Sequence, residues 1–195
     1  MLTLFHAPRS RSSRFIWLLE ELGTPYEIEY VNIQRGDGSG AADPVNPHPD
    51  RQVPALTHDG VLITESVAIA LYLTDAFPEA GIGPVVGDPD RGAYLTWLAH
   101  YAGVMEPVIT AHFEGRTAAE GPAKKSYEAM DRRFKTTLEA GSFLLGERFS
   151  AADIFLASLL TFARQALPDH KCYDDFLARV TARPAFIRAQ AKDAP

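Results

Sequence analysis

The stretch LTLFHAPRSRSSRFIWLLEEL, residues 2–22, decides the fold of the first part of the chain. Its short apolar start predicts a buried strand, which Pro8 ends. Several serines after Pro8 offer N-caps to the apolar run that follows, and Gly23 stands where a C-cap is expected. A helix is therefore predicted over about residues 11–22.

The rest of the first 80 residues continues to alternate between strand and helix signals. Residues 26–31 alternate apolar and polar side chains and predict a second strand. Asp59-Gly60 lies between two short β-rich runs and predicts a hairpin, after which a helix is expected up to Pro78. Residues 35–50 are rich in Gly, Pro and Asp and predict a long mobile loop with at most one helical turn. The expected order is βαβ, loop, ββα, with a parallel first pair and an antiparallel hairpin.

The second part of the chain carries only helical signals. Glycine and proline are dense before residue 90, which predicts a linker. Apolar residues then recur every three or four positions over about residues 90–114, and Pro122 suits the first turn of a second helix. Ser150 to Asp153 reads as a capping box in front of a helix that is apolar nearly all round. We therefore expect an α/β domain at 1–80, a linker at 81–90 and an all-helical domain at 91–195.

Charge and composition exclude several classes of function. The chain is globular in composition, with 46% hydrophobic and 23% charged residues, and its net charge is −6. The whole acidic excess lies in the first 80 residues, so a nucleic-acid partner is not expected, because phosphate affinity needs a basic surface.

The cysteine and histidine pattern excludes a second set of sites. Cys172 is the only cysteine, which rules out a disulfide framework and a thiolate zinc site, and it is expected to be an inert thiol. The six histidines are scattered without metal-ligand spacing. No apolar run is long enough to span a bilayer and the N-terminus does not read as a signal peptide, so a cytoplasmic location is expected.

Three segments carry the candidate chemistry. Pro8 to Arg14 places three arginines and three serines at a helix start, where free N–H groups and partial positive charge favour an anion or a thiolate. The alternative is simple capping beside a solvated basic patch. Thr64-Glu65-Ser66 opens the helix after the hairpin: Ser66 could hold a carboxylate and Glu65 an ammonium group, or both could serve the helix start alone.

The third segment is Gln52-Val53-Pro54, in front of a strand. Proline cannot donate to a sheet ladder, so Pro54 belongs at an edge or a turn. A cis bond there would offer the backbone N–H and C=O of Val53 to a peptide-like ligand, whereas an ordinary trans proline is the commoner reading.

In this order, the three segments and the capping box resemble the cytosolic glutathione transferase family, and the resemblance covers nearly the whole chain. It points to a bacterial or serine-using class, because no tyrosine follows the first strand and His6 lies in that region. The resemblance implies a thioredoxin-like first domain, an all-helical second domain, a cis bond before Pro54 and glutathione as co-substrate. It also implies that glutathione is bound by five residues: Gln52, Val53, Pro54, Glu65 and Ser66.

The resemblance also implies a mechanism. Ser10 matches the family's serine best, with Ser12 and Ser13 as alternatives, and its hydroxyl would donate a hydrogen bond to the glutathione sulfur and favour the thiolate. The thiolate would attack a small hydrophobic electrophile between the domains, in a detoxification reaction. Candidate lining residues are Tyr101, Met105, His112 and Phe113, for which packing in the core is the alternative.

Two other classes of function remain open at this point. A glutathione-dependent reductase, isomerase or lyase would use the same scaffold, and a non-catalytic interaction module would keep the fold without activity. The resemblance implies a homodimer in each case.

Overall fold

The computed structural model describes residues 1–193, which form two groups of elements. The strands and helices are β1 (Leu2–His6), α1 (Ser13–Leu22), β2 (Tyr26–Tyr30), β3 (Ala55–His58), β4 (Val61–Thr64), α2 (Ser66–Ala76), α3 (Arg91–His100), α4 (Glu106–Phe113), α5 (Pro122–Ala140), α6 (Ala151–Ala163), α7 (Lys171–Thr181) and α8 (Pro184–Asp193). Across these 193 residues, no helix combines the length and the apolar character that a membrane crossing requires.

The four strands form one sheet in the order β2-β1-β3-β4. β1 and β2 are parallel, whereas β3 is antiparallel to both β1 and β4. The predicted βαβ–ββα order is therefore confirmed. So is the hairpin at Asp59-Gly60, where both residues have positive φ, at 50° and 85°, as the tight turn that Asp-Gly favours requires.

The sheet and its helices enclose an apolar core. α1 places its buried face there because its apolar side chains recur at helical spacing, and each fully buried Leu, Ile or Phe contributes about 1.5–3 kcal/mol. The large apolar side chains with no exposed surface in this part of the chain are Leu4, Phe15, Ile16, Leu18, Leu19, Leu56, Ile69 and Leu73.

The two compact units divide the chain differently from the predicted domains. The first unit contains Met1–Ala80 together with the segment from Arg183 onward, and the second contains Gly81–Ala182. α8 is thus grouped by its contacts with the α/β unit, whereas the predicted bounds place it in the helical domain at 91–195, and those domain bounds stay a prediction. The difference arises because α8 has its specific partners on α1.

Two adjacent carboxylates at the end of α1 bind two basic residues of α8 and Arg183, which directly precedes it. Arg183 donates two hydrogen bonds to the carboxylate of Glu21, at 2.6 and 2.8 Å. Arg188 and Lys192 each donate one to Glu20, both at 2.6 Å. The Glu20 and Glu21 side chains are only 8% and 7% exposed, so these pairs are less screened by water than ordinary surface ion pairs.

The second unit is organised around α6, which is buried along nearly its whole length. The predicted capping box is confirmed: the buried carboxylate of Asp153 accepts the backbone N–H groups of Ser150 and Leu144, both at 2.8 Å. The backbone N–H of Ala151 bonds to the carbonyl of Ile82, and Ile82 is buried. The segment predicted as a linker at 81–90 is therefore packed into the second unit at its start.

The helix predicted over residues 90–114 is interrupted in its middle. A π-helical turn, Tyr101–Met105, separates α3 from α4. Pro107, the second residue of α4, has no N–H to donate to the carbonyl of Gly103, so the regular α-helical bond cannot form there. A wider turn is a common response to such an interruption.

The ion pairs of Glu20 lead to a prediction about acid stability. Burial opposes its ionisation, but hydrogen bonds from Lys192, Arg188 and Tyr26 outweigh burial and lower the pKa of Glu20 from 4.5 to about 2. A lowered pKa in the folded state stabilises the protein above the unfolded value, and this contribution is lost as the pH falls from about 4.5 towards 2. We expect Glu20→Gln to reduce the free energy of unfolding by about 1–3 kcal/mol at neutral pH, with a difference from wild type that shrinks as the pH falls from about 4.5 towards 2.

Denaturant unfolding at a series of pH values measures this difference. Glu29→Gln removes the same charge from an exposed position on β2 and serves as the control. A Glu20→Gln deficit that stays constant down to pH 2 would show that the ion pairs do not stabilise the fold.

Candidate active site

The turn between β1 and α1 contains a series of hydrogen-bonded side chains. The hydroxyl oxygen of Ser10 lies 2.7 Å from that of Ser12, and Ser12 Oγ lies 2.8 Å from Nδ1 of His6. The backbone N–H of Ser12 donates to Ser10 Oγ at 3.1 Å, and that of Ala7 donates to Ser12 Oγ at 3.2 Å. Ser12 and His6 have no exposed surface, whereas Ser10 is half-buried.

The last residue of α8, Asp193, extends this series of hydrogen bonds. Nε2 of His6 lies 3.4 Å from the backbone carbonyl oxygen of Asp193 and 3.2 Å from its carboxylate Oδ1. The backbone N–H of Arg9 donates to the other carboxylate oxygen, Oδ2, at 3.3 Å. The side chains of Ser10, Ser12 and His6 thus form one hydrogen-bonded series inside the first unit, which continues to the backbone carbonyl of Asp193 and has the Asp193 carboxylate beside its imidazole.

The three candidate serines have different surroundings. Ser12 is enclosed, and its hydroxyl is already bonded to His6 and Ser10. The hydroxyl of Ser13 accepts the backbone N–H of Ser10 at 3.2 Å. Ser10 and Ser13 are both half-buried; Ser13 is the first residue of α1 and Ser10 lies in the turn before it. Ser10 stays the preferred candidate because the resemblance matches it best. Its role towards sulfur stays a prediction, with Ser12 as a residue behind it.

The sheet register brings the three predicted segments to one edge. Phe5, near the end of β1, is paired with Ala55, the first residue of β3. Ala55 is also paired with Thr64, the last residue of β4. The serine turn after β1, the Gln52–Pro54 segment before β3 and Glu65-Ser66 after β4 therefore all leave the sheet at the same edge.

The segment before β3 has the geometry that the resemblance implied. The Val53-Pro54 bond is cis. Pro54 is buried, Val53 is half-buried and Gln52 is exposed. The side chain of Asn46, itself fully buried, donates to the carbonyl oxygen of Gln52 at 2.8 Å, so the preceding loop fixes the backbone of this segment.

That loop was predicted to be mobile with at most one helical turn. It contains turns and no helix, and hydrogen bonds fasten it at several points. Asp43 accepts the backbone N–H of Asn32 at 3.0 Å, and Arg35 donates to the carbonyl oxygen of Pro8 at 2.9 Å. The last contact links the loop to the serine turn.

The start of α2 has the features of an anion site. Glu65 precedes the helix with φ 68° and ψ 121° and its side chain makes no capping hydrogen bond. A non-glycine residue at positive φ is strained, and such strain is concentrated at functional sites. Ser66 is the first helical residue and is half-buried, so its hydroxyl lies among the free N–H groups of the helix start.

The candidates for an electrophile site have different positions in the second unit. Tyr101 and Met105 are 3% and 1% exposed, which fits packing in the core. His112 bonds to Thr117 at 2.8 Å and stacks on Tyr127. Phe113 is 56% exposed and meets the exposed ring of Phe162 edge to face. Only Phe113 retains the exposed apolar surface that a ligand contact needs.

Cys172, which lies outside the serine turn, gives no sign of catalysis. Burial raises the pKa of the Cys172 thiol on α7, which disfavours the reactive thiolate, in line with an inert role. Within residues 1–193 no three acidic, histidine or cysteine side chains are grouped as metal ligands would be.

Sequence reasoning missed His6 and Asp193 as parts of this site. His6 was noted only for lying where other classes have a tyrosine, and Asp193 stands 187 residues away from it. The one available signal was that a histidine occupied a buried strand position next to a serine-rich turn.

Comparison with known protein families covers both units. Residues 1–75 match the N-terminal domain of glutathione S-transferase, and residues 93–191 match the C-terminal domain of glutathione S-transferase. Glutathione S-transferase GstA of Escherichia coli O157:H7 is 28% identical over 163 residues, which cover 82% of this chain and 81% of that protein. Rat maleylacetoacetate isomerase is 27% identical over 160 residues, covering 77% and 72%.

The structure of a sphingomonad glutathione S-transferase complexed with glutathione superposes with a TM-score of 0.79 at 27% identity, covering 98% of both chains. Matches to both domains, in the same order and over nearly all of the described residues, leave one conclusion. The chain belongs to the glutathione S-transferase family.

Proposed function

We propose that this protein is a glutathione transferase that uses glutathione as co-substrate and activates its thiol as a thiolate for attack on a small hydrophobic electrophile. The observation that carries the proposal is the convergence of the serine turn, the Val53-Pro54 backbone and the start of α2 at one edge of the sheet. The sphingomonad relative complexed with glutathione supports the choice of co-substrate.

Each segment suits a different part of the tripeptide. The half-buried hydroxyl of Ser10 takes the sulfur, next to the N-terminal end of α1. Gln52 and the cis Val53-Pro54 unit offer backbone groups to the cysteinyl residue, as an extended peptide needs. Ser66 and the free N–H groups of α2 take the γ-glutamyl carboxylate, and Glu65 takes the ammonium group of the same residue.

The energetic demand on Ser10 is modest. A free thiol with a pKa of about 8.5 is only a few per cent ionised at neutral pH. Lowering that pKa by about two units is worth roughly 2.7 kcal/mol. One hydrogen bond to a charged acceptor contributes about 1.5–3 kcal/mol, and the helix start adds a fraction of this.

A glutathione-dependent isomerase is the second candidate, because rat maleylacetoacetate isomerase is among the relatives. The same thiolate would add to the substrate and leave again, so free thiol would be regenerated, whereas a transferase consumes it. Turnover of a substrate panel with a free-thiol readout separates the two. Failure to bind immobilised glutathione would favour a non-catalytic interaction module instead.

The cytoplasmic location and the homodimer belong to this proposal. In a homodimer, the partner subunit would cover exposed apolar side chains of the first unit. Val61 and Tyr72, for example, are 64% and 38% exposed. We expect light scattering at micromolar protein to give twice the chain mass of 21.4 kDa. A stable monomer at that concentration would contradict this part of the proposal.

Ser66→Ala tests the carboxylate subsite. This contact is remote from the sulfur and acts equally on ground state and transition state, so the loss falls on binding and not on turnover at saturation. We expect glutathione affinity to fall by about 1.5–3 kcal/mol, measured by calorimetry, with kcat retained. Thr64→Ser, which keeps a hydroxyl just outside the helix, is the control. An unchanged dissociation constant in Ser66→Ala removes Ser66 from the site.

Ser10→Ala tests the contact with the glutathione sulfur. In contrast to Ser66→Ala, we expect the loss to fall on reaction rate and not on binding. The pKa of the bound glutathione thiol rises by about one to two units, and rates near neutral pH fall about 10- to 100-fold, while affinity changes little. Ser39→Ala, in the exposed loop, controls for removal of a hydroxyl. If Ser10 only supports the turn, the variant loses about 1 kcal/mol of stability and keeps its pH–rate profile.

A further inference from the structure

The hydrogen-bond series behind Ser10 ends on a group that can hold a proton. Ser10 Oγ, Ser12 Oγ and His6 Nδ1 are linked at 2.7 and 2.8 Å. On the far side of the imidazole, Nε2 faces the carbonyl and the carboxylate of Asp193 at 3.4 and 3.2 Å. Each hydroxyl in the series can both donate and accept, so the series is continuous for proton movement.

The protonation state of His6 sets the direction of every hydrogen in the series. Nε2 faces only acceptor atoms of Asp193, so it carries the hydrogen of the neutral ring, and Nδ1 accepts. Ser12 then donates to Nδ1, and Ser10 donates to Ser12. In this state the hydrogen of Ser10 points into the protein, and its hydroxyl meets a ligand as an acceptor.

We propose that His6 is the base that receives the glutathione thiol proton, through the hydroxyls of Ser10 and Ser12, and that Asp193 stabilises the resulting imidazolium. This inference rests on the proposed function, since it requires glutathione sulfur at Ser10. His6 and Asp193 are positioning and proton-holding residues behind Ser10, which alone of the four contacts the substrate.

The proton balance of the step is closed. The sulfur–hydrogen bond breaks and its proton joins Ser10 Oγ, whose own hydrogen passes to Ser12 Oγ. The hydrogen of Ser12 passes to Nδ1 of His6, where a new N–H bond forms. At the end both serines are neutral, the sulfur is an anion and the imidazole is a cation beside the carboxylate of Asp193. The reversed series now has Ser10 donating to the thiolate, as its proposed role demands.

The surroundings of His6 suit this exchange. Burial lowers the pKa of His6, while the carbonyl and the charge of Asp193 act in the opposite direction, so the ring begins neutral and has a counter-charge for the proton. Within residues 1–193, Asp193 Oδ1 is a buried oxygen that accepts no hydrogen bond, and Nε2 of His6 lies 3.2 Å from it. From β2, the ring of Tyr30 meets His6 edge-on, and its hydroxyl is bonded to the Lys192 carbonyl.

The proposed path of the thiol proton, from sulfur through Ser10 and Ser12 to His6, is called the relay below. Counting the protons released to the buffer when glutathione binds tests it in the wild-type protein. If the thiol proton moves to His6, thiolate forms with release of well under one proton to the buffer. If Ser10 acts without His6, about one proton is released to the buffer per thiolate formed, because the lowered pKa of the bound glutathione thiol makes it lose its proton to the solvent. Thiolate is measured by its ultraviolet absorbance and proton release by calorimetry in buffers of different ionisation enthalpy. S-methylglutathione, which has no thiol proton, gives the background.

Nitrogen-15 NMR of His6 gives a second readout without mutation. Glutathione should convert Nδ1 of His6 from an acceptor to a protonated nitrogen, and S-methylglutathione should not. One proton released per thiolate together with unchanged His6 shifts overturns the relay.

Variants separate the relay from simple support of the turn. His6→Asn keeps an acceptor for Ser12 but cannot hold a proton, and we expect kcat/KM near neutral pH to fall about 10- to 100-fold with unchanged glutathione affinity. Asp193→Asn keeps acceptor oxygen beside Nε2 but removes the counter-charge, and a smaller loss in the same direction is expected. Glu29→Gln on exposed β2 is the control for charge removal.

The outcomes also separate failure of the relay from failure of the proposed function. The relay is overturned if His6→Asn and Asp193→Asn both keep the wild-type pH–rate profile while Ser10→Ala changes it. In that case the proposed function still stands. If wild-type protein forms no thiolate with glutathione, the function itself fails. Far-ultraviolet circular dichroism and thermal midpoints identify a variant that is misfolded, in which case the wild-type proton count decides.

Discussion

The carboxylates of Glu20 and Glu21 hold the last helix of the chain against the first. Their bonds to Arg183, Arg188 and Lys192 lie at 2.6–2.8 Å, at the edge of an apolar contact between the rings of Trp17 and Phe186. Because both glutamates are largely shielded from water, losing one partner leaves a poorly solvated charge. The position of α8, and everything that its end contacts, depends on this cluster.

What α8 contacts is the serine turn. Its last described residue, Asp193, meets His6 on the sheet and the backbone of Arg9 in the turn. A carboxylate that is far from the turn in sequence thereby lies 3.2 Å from the imidazole that ends the hydrogen-bond series leading to Ser10. The ion pairs of Glu20 and the chemistry proposed for Ser10 are consequently linked through one helix, and loosening α8 acts on both.

The sheet has a separate role, which is to bring together the three segments proposed to bind glutathione. Pairing of Ala55 with both Phe5 and Thr64 brings the three segments to the same edge. Local constraints then shape each one: the buried side chain of Asn46 fixes the backbone at Gln52, and positive φ at Glu65 redirects the chain into α2. Binding groups are thus placed by the rigid sheet, while the loops determine their orientation.

The sequence by itself determined the local elements and the candidate segments. Alternation, helical spacing, Asp59-Gly60 and the box at Ser150 act over a few residues, so the βαβ–ββα order and the helices could be read directly. Tertiary structure alone decided that α8 joins the first unit, that Ser12 is enclosed and that His6 and Asp193 stand behind Ser10. The physical reason is the distance in sequence: a hydrogen bond between residues 187 positions apart leaves no periodic pattern in the chain and exists only once the fold has brought both partners together.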